Sequence, residues 1–180
     1  MQITPASLAD APAIAAIYAH HVAHGTASYE IAPPGAKEMA KRMAKVIDAG
    51  SPWLVARDGA SDGGGAVIGF AYASQFRDRA AYRFACENSI YVRDDRRGEG
   101  IGRALLALLI VAAERAGFRQ MIAVIGGAEP ASARLHAACG FAEAGRLEGI
   151  GRKHGQWLDT LYMQRALGPG DATPPDVEPE

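Results

Sequence analysis

Residues 97–103 (RGEGIGR) combine three glycines with flanking arginines and could bind a phosphate. They lie between a predicted strand over residues 84–92 and a predicted helix over residues 103–116. Glycines in such a turn let the backbone approach a ligand, and the first turn of the following helix directs unpaired N–H groups at an anion. Arginines, including Arg96 just before the turn, add charged donors that suit phosphate. The turn therefore predicts a binding site for a phosphorylated ligand.

The spacing within this turn excludes two common nucleotide-binding motifs. A Walker loop requires Gly-Lys-Ser/Thr after its second glycine, and the chain has no such sequence. The dinucleotide motif requires a third glycine where the chain has Arg103, counted from Gly98, or Leu105, counted from the next glycine. The turn does match the pattern R-x-x-G-x-G, which begins at Arg97.

Composition indicates one globular domain without a basic or membrane-binding character. The chain has 180 residues, of which 49% are hydrophobic, and a net charge of -1. The longest apolar run, residues 104–113, is too short to span a bilayer, and the N-terminus has no signal-peptide pattern. We therefore expect a cytoplasmic protein that binds neither nucleic acid nor membranes. A domain is predicted over residues 1–167, followed by a disordered, proline-rich and acidic tail over residues 168–180.

Strands and helices alternate along the predicted domain. Ile14, Ile17, Tyr18 and Val22 recur at helical spacing, and Gly25 ends that helix. Residues 58–65 (DGASDGGG) have the composition of a hairpin loop. This order predicts an α+β fold with a mixed central sheet flanked by helices on both faces. Further helices are predicted over 36–48 and 130–139, and strands over 1–5, 53–57, 66–76, 121–125, 142–149 and 156–163.

The order of these segments resembles the GNAT superfamily of N-acetyltransferases over nearly the whole chain. Six separate blocks are similar to the subfamily that acetylates phosphinothricin, methionine sulfoximine and methionine sulfone. They are TASYE (26–30), PWLVA (52–56), GFAYAS (69–74), AVIG (123–126), RLH (134–136) and KHGQWLD (153–159). The resemblance implies the GNAT fold and direct acetyl transfer from acetyl-CoA to the amine of a small amino-acid analogue.

The resemblance also implies where acetyl-CoA binds. The strand before the glycine turn is expected to pair with the pantetheine amides, and the turn is expected to hold the pyrophosphate. Relatives often carry asparagine in the loop before the RLH helix, where this chain has Glu129. A carboxylate cannot donate a hydrogen bond as an amide does. The implied cofactor-binding residues are Ile90, Tyr91, Val92, Arg97, Gly98, Glu99, Gly100, Ile101, Gly102, Arg103 and Glu129.

Two residues are implied as catalytic. An α-amine has a pKa of roughly 8, so a base near neutral pH helps to remove its proton. Glu87 matches the subfamily's general base, although it could instead face solvent or form an ion pair with Arg83. His136 replaces the tyrosine proton donor of many members, and it could donate a proton, orient substrate or pack as a hydrogen-bonded core histidine. Backbone N–H groups of residues 89–92 would polarise the thioester oxygen.

Cationic and hydroxyl groups are expected to bind the acceptor. Arginine suits the carboxylate and phosphinate groups of a small zwitterion. The implied acceptor-binding residues are Arg77, Arg79 and Tyr82, with Tyr29 and Lys153 as weaker candidates. A homodimer is expected from the resemblance alone.

Several alternatives stay open at this point. The enzyme could acetylate another amine, such as a polyamine, a common amino acid or a protein N-terminus. A non-catalytic acyl-CoA sensor would bind the cofactor without turnover. His20, His21 and His24 have spacing like that of zinc ligands, but without the HExxH pattern no metal site is expected.

Overall fold

The computed structural model describes residues 1–59, 65–175 and 177–178. The predicted hairpin loop therefore lies largely outside the described residues. The helices of the described chain are α1 (Ala11–His24), α2 (Ala36–Asp48), α3 (Ile101–Arg115) and α4 (Pro130–Ala138). Its strands are β1 (Gln2–Pro5), β2 (Trp53–Arg57), β3 (Val67–Gln75), β4 (Ala85–Val92), β5 (Gln120–Gly126), β6 (Ala142–Lys153) and β7 (Gln156–Ala166).

Within the described residues, seven strands form one mixed sheet in the order β1-β2-β3-β4-β5-β7-β6. Strands β4 and β5 are parallel, and every other neighbouring pair is antiparallel. Helices α1 and α2 cover one face and pack on Trp53, Val55 and Phe70. Helix α3 covers the opposite face and packs on Ile68 and Met121. The predicted α+β architecture with helices on both faces is confirmed.

Helix α3 shows why the local sequence forms these elements. Leu105, Leu106 and Leu109 recur at helical spacing and are fully buried. Gly100 before the helix and Gly117 after it have φ angles of 80° and 92°, which only glycine adopts without strain. Among the described residues, no helix is long and apolar enough to cross a membrane.

The start of the C-terminal tail differs from the predicted disorder. Leu167 is 1% exposed, so the chain is still anchored in the core where the tail begins. The Arg119 guanidinium then donates to the Gly170 carbonyl and to Thr173 Oγ1, both at 3.3 Å. These contacts hold the first part of the tail on the domain, whereas residues 176 and 179–180 lie outside the described residues.

Candidate active site

Strands β4 and β5 separate at one end of the sheet and leave a fork. Their parallel pairing runs from Ala85 opposite Gln120 to Asn88 opposite Ala123. In the described part of the chain, residues 89–92 of β4 pair with β3 alone. The other edge of these residues can bind the amides of a ligand as an added strand would. A cleft of about 400 Å³ lies along this edge.

The glycine turn forms one end of the cleft. Gly98, Gly100 and Gly102 all line it, and both Gly98 and Gly100 have a φ of 80°. Helix α3 begins at Ile101 beside the cleft, and no side chain among the described residues caps its start. The first N–H groups of a helix have no partner within the helix. The turn therefore combines free peptide donors with space for an anion, as predicted for a phosphate site.

The arginines near the turn differ in how freely they could meet an anion. Arg96 donates to the Glu99 carboxylate at 2.9 Å and also to Asp58. Arg97 lies 3.2 Å from Asp94, whereas Arg103 is exposed at the cleft and makes no ion pair among the described residues. Glu99 does not line the cleft, because its carboxylate is turned toward Arg96. Any contribution of Glu99 to the cofactor site would therefore come from its backbone within the turn.

His21, which the sequence suggested only as a metal ligand, also lines the cleft. Its Nε2 lies 2.8 Å from the Val92 carbonyl oxygen, and its Nδ1 lies 3.4 Å from Arg97 Nη2. A carbonyl accepts and a guanidinium donates, so a neutral ring with hydrogen on Nε2 fits both partners. Burial and the charge of Arg97 lower the pKa of His21 and favour this form. The sequence did contain a signal for His21: it follows the apolar Tyr18 by three residues, which places both residues on the same face of α1.

Glu87 lies on β4 directly opposite Ser74 of β3. Its side chain is 34% exposed, and burial raises the pKa of the carboxyl above its usual value of 4.5. The charge of Arg77, whose Nη1 lies 3.9 Å from Glu87 Oε2, opposes this shift. The alternative partner, Arg83, instead lies over the Phe84 ring at 5.3 Å. A half-buried carboxylate with one distant cation is suited to accept a proton.

His136 lies on the other face of the sheet from Glu87. Successive strand residues point to opposite faces, and Asn88 directs its Oδ1 to His136 Nε2 at 3.0 Å. His136 Nδ1 lies 2.8 Å from the Ser132 carbonyl, and the residue is 4% exposed. Burial lowers the pKa of His136 and favours the neutral ring, which can donate a hydrogen bond to only one of these two oxygen atoms. Of the alternatives left open, the structure shows a hydrogen-bonded, packed histidine, located in the wall of the cleft.

Glu129 caps helix α4. Its Oε2 accepts a hydrogen bond from the Ser132 N–H at 2.8 Å, at the first turn of the helix. Glu129 also lines the cleft. The carboxylate therefore takes a structural part that asparagine could equally fill, because both side chains offer an oxygen acceptor.

The expected acceptor-binding residues fall into two groups. Arg77 lies beside Glu87 with its guanidinium 4.0 Å from the centre of the Phe76 ring, and Tyr82 packs edge-on against the same ring. Arg79 is exposed in the same connection between β3 and β4. Tyr29 and Lys153 are not part of this group.

Tyr29 and Lys153 form a separate cluster, in which residues 28 and 29 contact β6 and β7. The Tyr29 hydroxyl lies 2.8 Å from both the Asp159 carbonyl and Thr160 Oγ1. Lys153 Nζ donates to the Ser28 carbonyl at 2.7 Å and is buried. The Tyr29 hydroxyl and the Lys153 ammonium thus both make hydrogen bonds within the protein.

A second cavity, of about 680 Å³, lies on the Glu87 face of the sheet. Trp53 and Tyr72 form part of its wall with their rings stacked 4.1 Å apart, and Arg42 of α2 lies at another side. Ser74, directly opposite Glu87, lines this cavity, while Asn88 lines the cleft. Glu87 itself lines neither opening, but its cross-strand partner lines the cavity and the next residue of β4 lines the cleft.

The three histidines with metal-like spacing serve other contacts. His20 Nε2 lies 3.6 Å from Asp94, and the rings of His20 and His24 are 4.7 Å apart. In the part of the chain that the structure describes, no group of three or more His, Cys, Asp or Glu side chains could hold a metal ion.

Comparison with known families agrees with this geometry. The model of the acetyltransferase (GNAT) domain matches residues 3–162. That match includes the fork, the glycine turn, Glu87 and His136.

Individual relatives cover almost the whole chain. A phosphinothricin N-acetyltransferase from Alcaligenes faecalis is 52% identical over 93% of this chain and 83% of its own. An L-methionine sulfoximine/L-methionine sulfone acetyltransferase from Pseudomonas paraeruginosa is 39% identical over 96% of this chain and 98% of its own. The crystal structure of a GNAT superfamily phosphinothricin acetyltransferase from Sinorhizobium meliloti, in complex with acetyl-CoA, superimposes with a TM-score of 0.92. It is 50% identical and covers 97% of this chain and 92% of the other.

Proposed function

The chain belongs to the GNAT acetyltransferases and is an acetyl-CoA-dependent N-acetyltransferase, and from that premise we propose its acceptor and its catalytic residues. The acceptor is a small amino-acid analogue, with phosphinothricin, methionine sulfoximine and methionine sulfone as the favoured compounds. The observation that carries this proposal is the half-buried Glu87 beside Arg77, with its neighbours Ser74 at the second cavity and Asn88 at the cleft.

Acetyl-CoA supplies an activated acetyl group, and the cleft has the donors to hold it. Residues 89–92 offer peptide groups for pantetheine amides, and the free N–H groups at the start of α3 offer donors for a pyrophosphate. Arg103 adds charge at that end of the cleft. Peptide N–H groups of β4 at the fork polarise the thioester oxygen.

Glu87 acts as the general base. It takes a proton from the acceptor amine, directly or through a water molecule, as the nitrogen bonds to the acetyl carbon. The carbon–sulfur bond breaks in the same transfer, and its electron pair leaves with the sulfur. His136 and Asn88 lie on the opposite face, where they can orient the sulfur end, and His136, once protonated from solvent, can return a proton to the thiolate. The two faces thus separate proton removal from departure of the thiolate.

The charge and shape near Glu87 favour a small zwitterionic acceptor. Arg77, Arg79 and Tyr82 share the connection beside Glu87, and arginine binds carboxylate or phosphinate in a bidentate manner. The names of the relatives support the same class, because they act on phosphinothricin and on oxidised methionine analogues.

An acceptor panel tests the proposal. Release of CoA thiol from acetyl-CoA is measured with phosphinothricin, methionine sulfoximine, methionine sulfone, common amino acids, spermidine and a short peptide. We expect turnover with the first three compounds. Turnover with spermidine or peptide alone would overturn the acceptor class, and acetyl-CoA binding without any turnover would favour a sensor.

Arg79→Ala is expected to raise the KM for the acceptor by about 10- to 100-fold, because a charge-assisted hydrogen bond is worth roughly 1.5–3 kcal/mol. The KM for acetyl-CoA is expected to stay unchanged, since Arg79 does not line the cleft. Arg115→Ala removes an equally exposed arginine at the end of α3 and serves as the matched control. An unchanged acceptor KM in Arg79→Ala would exclude this residue from the acceptor site.

We also propose that the protein is a homodimer and that β6 and β7 form its interface. β6 is an edge strand of the sheet. Ile150 and Trp157 on this hairpin are 59% and 68% exposed, and exposed apolar surface at a sheet edge is characteristic of an interface. Light scattering is expected to give twice the chain mass of 18.9 kDa. Ile150→Lys is expected to shift that mass toward the monomer, and a monomeric wild type would contradict the proposal.

A further inference from the structure

We propose that Lys153 is a positioning residue: its buried ammonium fixes residues 26–30, here termed the strap. The strap lines the acetyl-CoA cleft through Ala27 and, through Glu30, holds residues that line the second cavity, here termed the acceptor cavity. The inference rests on the proposed function, because it assumes acetyl-CoA in the cleft and the acceptor beside Glu87. It assigns Tyr29 and Lys153 to shaping both sites through the strap, with no direct contact to either substrate.

One end of the strap lies against the cleft. Ala27 lines the cleft together with Gly126 at the end of β5. A Cβ atom on Gly126 would lie 2.8 Å from the carbonyl oxygens of both Thr26 and Ala27, and one on Gly127 would lie 2.5 Å from Thr26 Oγ1. Such distances are shorter than contact allows, so glycine at both positions lets the strap reach the fork.

The middle of the strap is locked by Tyr29. Its ring fits over Gly151 of β6, where a Cβ atom would lie 2.6 Å from Tyr29 Cε2. Its hydroxyl bonds the Asp159 carbonyl and Thr160 Oγ1 and lies 3.4 Å from the Gly127 N–H. Tyr29 thus connects the strap to β6, β7 and the end of β5 at once.

Lys153 holds the backbone between these contacts. It is 4% exposed, and its Nζ donates to the Ser28 carbonyl at 2.7 Å. Burying an ammonium group costs free energy unless the group makes strong hydrogen bonds. The bond to the Ser28 carbonyl therefore offsets the cost of burying Lys153. Burial lowers the pKa of Lys153, while the charge of Glu30 opposes that shift.

The other end of the strap reaches the acceptor cavity. Glu30 accepts from Arg42 Nη1 at 2.6 Å and from the Tyr18 hydroxyl at 3.0 Å, and both partners line that cavity. Tyr18 also bonds Ser28 Oγ at 2.8 Å. A shift of the strap would therefore move Ala27 at the cleft and Arg42 at the cavity together.

Lys153→Met tests the inference because it keeps the apolar stem and removes the donor. We expect the KM values for acetyl-CoA and for the acceptor each to rise about tenfold, while kcat falls less, because small displacements of positioning groups weaken binding at both sites. Hydrogen exchange over residues 26–30 is expected to become faster. Lys41→Met, at an exposed lysine of α2, is the matched control. Unchanged KM values with unchanged exchange would overturn the inference.

A double-mutant cycle tests whether Tyr29 connects β6 to the cleft, and it does so even if Lys153→Met does not fold. Gly151→Ala places a methyl group against the Tyr29 ring at a residue that does not line the cleft. We expect it to raise the KM for acetyl-CoA in the wild type but not in a Tyr29→Ala background. Equal effects in both backgrounds would overturn the inference. The acceptor panel with the wild-type protein tests the proposed function. Hydrogen exchange over residues 26–30 tests the role of Lys153 separately, because it needs no substrate.

Discussion

Replacing Glu87 by Gln is expected to lower kcat by about 10²- to 10⁴-fold while acetyl-CoA still binds, because a positioned general base contributes that much to proton transfer. Glutamine keeps the size and the hydrogen-bonding oxygen but cannot accept the proton of the acceptor amine. Single-turnover kinetics and calorimetric titration with acetyl-CoA measure the two quantities. Glu114→Gln, on the exposed side of α3, is the matched control.

The loss in Glu87→Gln is not expected to arise from unfolding. Burial raises the folded-state pKa of Glu87, so the ionised carboxylate is disfavoured in the folded protein. A carboxyl group whose pKa is raised by folding stabilises the folded state at pH values below its unfolded-state pKa. This stabilisation is lost as the pH rises through the folded-state pKa. At neutral pH, glutamine should therefore leave the melting temperature unchanged or raise it.

The same shift sets the acid limb of the pH profile. Glu87 must be ionised to accept a proton, so kcat/KM is expected to fall as the pH drops through the raised pKa of this carboxyl, above 4.5. Arg77 lowers that pKa, so Arg77→Ala should move the acid limb to higher pH. Two results would contradict the assignment of Glu87 as the base: a kcat of Glu87→Gln equal to that of the wild type, or an acid limb at the same pH in Arg77→Ala as in the wild type.

Gly100→Val is expected to raise the KM for acetyl-CoA by about 10- to 100-fold, equivalent to roughly 1.4–2.8 kcal/mol of binding free energy. Gly100 has a φ of 80°, a conformation that costs a β-branched residue about 1–3 kcal/mol. The backbone would relieve this strain by rotating, which would turn the first N–H groups of α3 away from the anion. The KM for the acceptor should change little.

Gly117→Val is the control for Gly100→Val. Gly117 lies just after the other end of α3 with a φ of 92°, and a Cβ atom at either glycine would meet no atom within 4 Å. Both variants should lower the melting temperature, since both impose the same kind of strain. An equal change of acetyl-CoA KM in the two variants would show that the effect is a general loss of stability.

Much of the fold could be predicted because the relevant signals are local. Helix α2 was predicted over the same residues that the structure shows, 36–48, and β2 likewise over 53–57. The strands at the C-terminal end were predicted too short, since β6 extends to Lys153 and β7 to Ala166. Every residue of β6 before Lys153 is exposed or half-buried, so the strand lacks a period-two pattern of buried side chains. Pairing with β7 maintains the strand through two register shifts.

The candidate site could be predicted only in part. The glycine turn was found from spacing, because the turn and the helix it precedes are adjacent in sequence. Tyr29 and Lys153 were named as weaker acceptor candidates, but their contacts could not be predicted, since Lys153 meets the Ser28 carbonyl across 125 residues of chain. His21 was likewise missed, because its contact with Arg97 spans 76 residues.

The sequence by itself determined the glycine turn, the helix ends, the apolar faces and, through the blocks shared with relatives, the family. These properties follow from backbone conformation and side-chain spacing within a few residues. The tertiary structure decided that β4 and β5 part after Asn88, that Glu87 and His136 lie on opposite faces, and that Lys153 bonds the Ser28 carbonyl. Those features depend on which strands pair and where their hydrogen-bonded ladder stops. Strand pairing depends on contacts between residues that are distant in the chain, and local propensity does not determine which of them form.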